Sequence, residues 1–362
     1  MRIIQIVPSL SYGDAIGNNI LAIDKMLKKA GYNSEIYAEN IDGRLPRNVA
    51  KKIKRLNGVQ REDVVIYHFS IGAQMTYIFA ELRCRKIVLY HNITPKKFFE
   101  RYSFDSWKMC QDGEQQRKFL SDKVDYCLAV SEYNKRDLIK DGFKCKIDVL
   151  PILIKFSDYK NTPADHIIKK YNDGYTNILF TGRISPNKCQ QDVINTFYHY
   201  KKYYNDKSRL FIVGNDSGME KYSQELMGYT ERLRLTNDVV FTGHVKFDEI
   251  LAYYQVADLF LCMSEHEGFC VPLAEAMYFG LPIVAYDSSA VAETMGDGGF
   301  VLKDKNPLEA AGVIDYILTH EETKKKILKK QEDRLLDFDE NKIEKSLLGY
   351  IENFLESKNE NT

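Results

Sequence analysis

Two segments of this 362-residue chain gather cations, carboxylates and glycines in patterns that suit an anion beside a polyhydroxyl. In GRISPNKCQQDVI (182–194), Gly182 frees a turn, Arg183 and Lys188 follow, and a helix is expected to begin near Gln190. Two cations beside a helix amino end act with its unpaired N–H groups on one anion, which makes a diphosphate cradle that needs no metal. A basic turn alone is more often solvated surface. In MSEHEGFCVPLAEAMYFGLPIV (263–284), Glu267 precedes Gly268 in a loop, and Pro272 suits the first turn of a helix whose early residues include Glu275. The helix dipole is expected to keep a carboxylate there ionised, so that it accepts hydrogen bonds from the vicinal hydroxyls of a ribose or hexose. Phe269, Cys270 and Val271 would bring backbone N–H groups to the same place. One carboxylate near a helix start is ordinarily just a terminal charge; two flanking a glycine loop are more specific.

These segments must be positioned by the elements around them. Short apolar, β-branched and aromatic runs alternate with longer stretches of helical period, the pattern of βαβ units and parallel sheets. In the first half, strands are expected at 3–7, 35–38, 64–68, 86–91, 126–130 and 146–150, with helices near 17–30, 47–57, 73–83, 113–122 and 132–141. In the second half, strands are expected at 177–181, 209–213, 239–241, 258–262, 282–286 and 299–302, with helices between them. The pattern is α/β, with two doubly wound domains in tandem: 1–155, a polar turn-rich linker at 156–175, and 176–340. The tail 341–358 has a helical stripe of Ile343, Leu347, Tyr350, Ile351 and Phe354 that requires a partner, and is expected to return to the first domain. Parallel sheets bind ligands outside the carboxyl ends of their strands, so two such domains are expected to face one another across a ligand-binding cleft.

Histidines fall at such strand ends. His91 stands one residue past an apolar strand and before Asn92; His68 ends the neighbouring strand and reads equally as a ligand group or a packed side chain. His244 and His266 border loops of the second half as peripheral candidates. The seven cysteines are odd in number and show no zinc-type spacing, which reads as reduced core thiols. Asp337-Phe338-Asp339, the one Asp-x-Asp, lies in a polar helical tail and reads as surface, so no metal site is expected.

Lys+Arg and Asp+Glu are equal at 51 each, which argues against nucleic acid as a partner. The balance is a cancellation: residues 1–155 carry 27 basic and 18 acidic residues, net +9, and the remainder carries 24 and 33, net −9. No run reaches the ~18–20 apolar residues of a membrane span and the amino terminus lacks a signal-peptide pattern, so a cytoplasmic location is expected. In RNVAKKIKRLNGV (47–59), Val49, Ile53 and Leu56 share a helical face among four cations, the pattern of a helix lying on an anionic membrane or of an ordinary surface helix. KKFFERYSF (96–104) reads either as a lipid-facing aromatic patch or as core packing.

Taken together, EGFCVPLAE (267–275), GRISPNK (182–188), VGNDSG (213–218), FTGHV (241–245) and EAMYFGLPIVAYDSSAVAET (275–294) resemble the family 4 retaining glycosyltransferases, with their E-x7-E motif and GT-B fold of two facing Rossmann-like domains. YHFSIGA (67–73), YHNITP (90–95) and AVSEYNKRDL (129–138) resemble the family's amino-terminal domain. The resemblance implies that Arg183 and Lys188 hold the donor diphosphate, Glu275 the ribose hydroxyls, and Glu267 with Phe269, Cys270 and Val271 the donor sugar. It implies that Gly214 opens a strand end for the base, that the loop Gly13-Asp14-Ala15 closes over the donor, and that His91 lies against the transferred sugar. His68 and Asn92 are then acceptor-side candidates. The family often has two glycines where this chain has Gly13-Asp14.

The implied reaction is metal-independent, retaining hexosyl transfer from a nucleotide-diphosphate sugar to a glycan or lipid-linked oligosaccharide in polysaccharide synthesis, by a front-face route since no nucleophile declares itself. No cofactor is implied beyond this co-substrate. YHNITP is similar to a segment of bacterial mannosyl- and rhamnosyltransferases, which favours a GDP-linked donor, with UDP-sugars next. Attachment to the inner face of the membrane through 47–59 is one expectation. A dehydrogenase would require GxGxxG after the first strand, where this chain reads PSLSYGD (8–14). A non-catalytic binding protein of the same fold predicts loss of Arg183, Lys188, Glu267 and Glu275, all of which are present. A same-fold enzyme acting on a small soluble acceptor stays open.

Overall fold

The computed structural model describes residues 1–357, which form two units. The first comprises Met1–Lys96, Trp107–Ile154 and residues 338–357; the second comprises Lys97–Ser106 and Lys155–Asp337. Each is built on a wholly parallel sheet between helices.

The first sheet contains β1 (Ile3–Leu10), β2 (Ser34–Ile41), β3 (Lys51–Lys52), β4 (Val64–Phe69), β5 (Arg85–Tyr90), β6 (Tyr126–Ala129) and β7 (Lys146–Val149), in the order β3-β2-β1-β4-β5-β6-β7. Its helices are α1 (Ala15–Lys29), α2 (Met75–Glu81), α3 (Phe104–Leu120) and α4 (Glu132–Lys140). The central strands are apolar on both faces because helices cover both, and every residue of β4 is buried. The strand order reverses direction between β1 and β4, so the loops after these strands open a crevice at the carboxyl end of the sheet.

The helix expected over 47–57 is absent. Lys51–Lys52 instead pair with Tyr37 and Ala38 at the edge of β2, followed by a single 3-10 turn at Ile53–Arg55. The free edge of β2 offers backbone partners that a short cationic helix would lack. Two of its charges are then used locally, Lys51 against Glu35 at 2.6 Å and Lys52 against the Glu39 carbonyl at 2.8 Å. The proposed membrane-lying helix is therefore not formed.

The second sheet contains β8 (Thr176–Thr181), β9 (Ser208–Val213), β10 (Val239–Gly243), β11 (Leu259–Cys262), β12 (Ile283–Tyr286) and β13 (Phe300–Leu302), ordered β10-β9-β8-β11-β12-β13. Around it lie α5 (Asp165–Tyr171), α6 (Gln190–Tyr203), α7 (Glu220–Arg232), α8 (Phe247–Val256), α9 (Val271–Tyr278), α10 (Val291–Met295), α11 (Pro307–Thr319) and α12 (Glu321–Leu335). The segment read as a linker is ordered within this unit. Phe156–Lys160 form a 3-10 turn, and Ala164, Ile167 and Tyr171 join the core with Phe211, Tyr253 and Tyr254.

The excursion 97–106 also belongs to the second unit. Arg101 pairs with Glu225 at 2.8 Å, and the Tyr102 ring meets Tyr222 edge-on at 5.0 Å. Phe99 is buried and Phe98 lies beside the His266 ring, while Phe104 stays exposed. The aromatics of 96–104 are thus largely packing groups, and α3 begins well before the expected residue 113.

The final helix α13 (Glu340–Glu356) buries Ile343, Leu347, Ile351 and Phe354 within the first unit. Phe354 stacks on Tyr126 at 5.5 Å and lies under the Arg85 guanidinium, whose N–H groups donate to the Phe354 and Leu355 carbonyls. Lys358, the last residue of the expected tail helix, lies outside the described residues. Asp337 pairs with Arg334 at 2.7 Å and Asp339 caps α13, so the Asp-x-Asp sequence serves helix ends. Among the described residues, no helix is long and apolar enough to cross a membrane.

Candidate active site

At the carboxyl ends of β8 and β9, two glycines bring the backbone into close approach. A Cβ on Gly214 would lie 2.0 Å from the Gly182 carbonyl oxygen, so a side chain cannot be accommodated without moving the strand end. Arg183 is exposed, and its Nη2 donates to the Ser217 carbonyl at 2.8 Å. Pro186–Lys188 make a 3-10 turn, Cys189 turns left-handed at φ 50°, and α6 starts immediately after.

The loop after β11 is a counterpart. Cys270 turns left-handed at φ 74° just before α9, which has Pro272 in its first turn. Both helix starts therefore place a non-glycine residue in a conformation that costs of order 1–3 kcal/mol and persists only where the surroundings over-determine it. The two loops are joined by their charges. Lys188 Nζ donates to Glu267 Oε1 at 2.6 Å, and Ser264 Oγ donates to the same oxygen at 2.9 Å. Burial works against the Lys188 charge, but the Glu267 carboxylate outweighs it and holds the ammonium above its ordinary pKa. The Glu267 N–H donates to Ser289 Oγ at 2.8 Å, which fixes the loop from the far side.

Glu275 lies past the first turn of α9, where the helix dipole has faded, and burial pushes its pKa up. The expected dipole-stabilised carboxylate is thus stabilised by other means. Tyr159 donates its hydroxyl to Oε1 at 2.6 Å and Tyr254 donates to Oε2 at 2.7 Å, both pulling the pKa back down. Tyr254 also reaches Thr181 Oγ1 at 2.6 Å at the end of β8. Sequence reasoning missed Tyr159 and Tyr254. The available signal is the four aromatics within 156–175, namely Phe156, Tyr159, Tyr171 and Tyr175. Phe156 stacks on Tyr278 and Tyr159 meets Phe247 edge-on, which seats the linker against α9 and α8.

In the first unit, Gly13 has φ 77° and Asp14 has φ −96°, so only the first position favours glycine. Asp14 Oδ1 accepts from the Gly17 N–H at 2.7 Å and caps α1. A Cβ on Gly17 would lie 2.3 Å from the Ser11 carbonyl oxygen, which keeps this loop tight. His68 and His91 are buried and bonded to each other, His68 Nδ1 to His91 Nε2 at 2.9 Å. His68 Nε2 meets Gln5 Oε1, also at 2.9 Å. Burial pushes the His91 pKa down to about 3 and that of His68 well below its ordinary value, so both rings are neutral at pH 7. Asn92, at φ 88°, donates through Nδ2 to Asn134 Oδ1 at 2.8 Å.

Of the predicted residues, Lys188 and Glu267 are therefore in direct contact, and so are His68 and His91. Arg183, Gly214 and Glu275 occupy neighbouring strand and helix ends of the second unit, with Phe269, Cys270 and Val271 leading into α9. His244 is exposed after β10, and His266 is buried with its carbonyl accepting from Asn187. Cys189, Asp192 and Glu265 form a group of potential metal ligands, but Lys305 Nζ already bridges the two carboxylates at 2.8 and 2.9 Å. A polar groove of about 740 Å³ is lined by Arg101 and Tyr102 of the 96–104 segment with Lys221 and Arg232 among others, and contains none of the expected donor-binding residues.

Two Rossmann-like α/β domains, of seven and six parallel strands, define a GT-B architecture. Residues 161–334 match the family described as Glycosyl transferases group 1, a stretch that lies within the second unit. The chain is similar to an uncharacterised glycosyltransferase of Methanocaldococcus jannaschii, 27% identical over 257 residues, which are 69% of this chain and 64% of that protein. It is also similar to the O-antigen chain mannosyltransferase RfbU of Salmonella typhimurium, 30% identical over 135 residues, covering 37% of this chain and 36% of that one. The chain thus spans less than two thirds of the length of these relatives. Among solved structures, Anabaena HepE in complex with UDP-glucose superposes with a TM-score of 0.77 at 17% identity, over 98% of this chain and 100% of that one.

Proposed function

We propose that this chain is a retaining, metal-independent hexosyltransferase that moves a sugar from a nucleotide-diphosphate donor to a glycan or lipid-linked oligosaccharide. The observation that carries the reading is the Lys188–Glu267 pair joining two loops at helix amino ends, within a Glycosyl transferases group 1 domain. An ammonium has three donors, so Lys188 keeps two for phosphate oxygens while Glu267 holds it in place. Arg183, with an exposed guanidinium on the adjoining turn, adds a second cation. Both would stabilise the charge that grows on the departing diphosphate.

Glu267 and the start of α9 would take hydroxyls of the sugar, and Gly214 would admit the base. Glu275 would take ribose hydroxyls by exchanging a tyrosine hydroxyl for a substrate hydroxyl, a swap between similar hydrogen bonds. In the first unit, His91, Asn92 and the Gly13-Asp14 loop are the proposed sugar-facing groups. A front-face route is proposed for retention of configuration, with the leaving phosphate taking the acceptor proton. A GDP-mannose-type donor is favoured by the YHNITP segment and by the mannosyltransferase relative, with UDP-sugars next. The net +9 of residues 1–155 suits an anionic acceptor, without the amphipathic helix first expected.

The test is a donor screen with GDP-mannose, UDP-glucose and UDP-N-acetylglucosamine, following nucleotide release with and without EDTA and reading the product anomer by NMR. Turnover undiminished by EDTA with retained configuration is expected. Strict metal dependence, an inverted product or no release from any donor would overturn the proposal, and transfer to sugar phosphates alone would favour the small-acceptor alternative.

A further inference from the structure

Gln5, His68 and His91 stand on β1, on β4 and just past β5, three adjacent strands, so their side chains form a hydrogen-bonded row across the point where the strand order reverses. All three are buried, with relative exposures of 0, 0 and 6%. Their protons are not independent. A neutral imidazole carries one N–H and one lone pair. With Gln5 Oε1 accepting, His68 must donate through Nε2, and its Nδ1 is then a lone pair. His91 must in turn donate through Nε2, and its own Nδ1 is left as a lone pair. Turning the Gln5 amide around would reverse both rings together and leave an N–H at His91 Nδ1.

Among the described residues the row has an unmet group at each end: Gln5 Nε2 and His91 Nδ1 are both buried without a hydrogen-bond partner, and His91 Nδ1 is the one that lies past the strand end. Such an atom costs about 1–3 kcal/mol unless something supplies a donor. A hydroxyl does so and, unlike a carboxylate or phosphate, brings no charge to a site that holds two neutral rings and an amide. A buried glutamine within a strand that is otherwise apolar at its neighbours Ile4 and Ile6 has no packing advantage over leucine, so its polar contact to His68 is the reason for it.

We propose that Gln5 and His68 are positioning residues that fix the tautomer of His91, so that His91 Nδ1 accepts a hydrogen bond from a hydroxyl of a sugar bound at the carboxyl end of the first sheet. The sugar rests on the glycosyltransferase reading; the tautomer does not.

The experiment uses the full chain with ¹⁵N-labelled histidine imidazoles, His68→Phe and His91→Phe serving to assign the resonances. At pH 7 the His91 ring is expected to show a protonated Nε2 and an unprotonated Nδ1; a protonated Nδ1 would overturn the proposed polarity without bearing on the reaction. Gln5→Met, checked for folding by circular dichroism, is expected to give a mixture of both tautomers, and an unchanged single tautomer would overturn the role of Gln5. Titration with UDP-glucose or GDP-mannose is expected to move the Nδ1 resonance where UDP or GDP alone does not. No movement at saturation would overturn the sugar assignment. In turnover, Gln5→Met is expected to lower kcat about tenfold with nucleotide affinity within twofold; equal losses in both would mark a merely structural role.

Discussion

The first sheet holds a buried hydrogen-bonded row of an amide and two neutral imidazoles, whereas the second sheet ends in an ammonium held against a carboxylate with a further carboxylate between two tyrosines. The same architecture carries both, so the difference lies in the residues that follow the strands. A neutral row can offer a lone pair or an N–H and thereby discriminate hydroxyls by direction. A charged pair can meet an anion and offset growing charge. On the proposed reading these are complementary tasks, sugar placement in one unit and diphosphate stabilisation in the other.

The comparison breaks most sharply at Lys188. Removing one partner of a largely buried ion pair leaves the other charge uncompensated, at a cost of about 3–5 kcal/mol. Lys188→Met is expected to lose that much stability in urea unfolding, and adding Glu267→Gln should restore most of it. A loss below about 1 kcal/mol would mean that the pair is solvated like a surface one.

The neutral row makes its own prediction through pH. The folded pKa of His91, about 3, lies below the unfolded value of about 6.5, so the unfolded chain takes up a proton first as the pH falls. Stability is fully present above about pH 6.5 and is lost towards pH 3, at about 1.4 kcal/mol per unit for this group, or about 2 kcal/mol by pH 5. His68, also depressed, steepens the same window. Chemical denaturation at pH 7 and pH 5 measures it, and the His68→Phe variant should show a shallower fall. Equal stability at the two pH values would contradict burial of neutral rings.

Smaller effects sharpen the contrast within the second unit. Tyr159→Phe removes one hydroxyl from Glu275 and should cost about 0.5–1.5 kcal/mol in thermal or urea unfolding, since the rest of its ring still packs on Phe247. A neutral result would mean that the docked linker contributes nothing to holding this carboxylate.

The sheets were legible because apolar runs at parallel-strand spacing leave few alternatives, and the Lys188 and Glu267 loops stood out by glycine and charge. Other features depended on tertiary context. Residues 47–57 have a helical period, yet the free edge of β2 draws Lys51 and Lys52 into a strand. In sequence Glu275 reads as an early helix charge, whereas tyrosines from the linker and from α8 decide its environment. Gln5 is one polar letter in an apolar strand, a mismatch that only its contact with His68 explains. The excursion 97–106 joins the second unit through Arg101 and Tyr102, pairings that no local pattern announces.

On the proposed reading a nucleotide diphosphate binds through Lys188, held by Glu267, with Glu275 on the ribose. Calorimetric titration of the full chain with UDP and with GDP tests it most directly, beside Glu275→Gln. Binding of at least one nucleotide is expected, weakened about 10–100-fold by the substitution through loss of a charge-assisted hydrogen bond. Binding of neither nucleotide, or equal affinity in the folded variant, would contradict it.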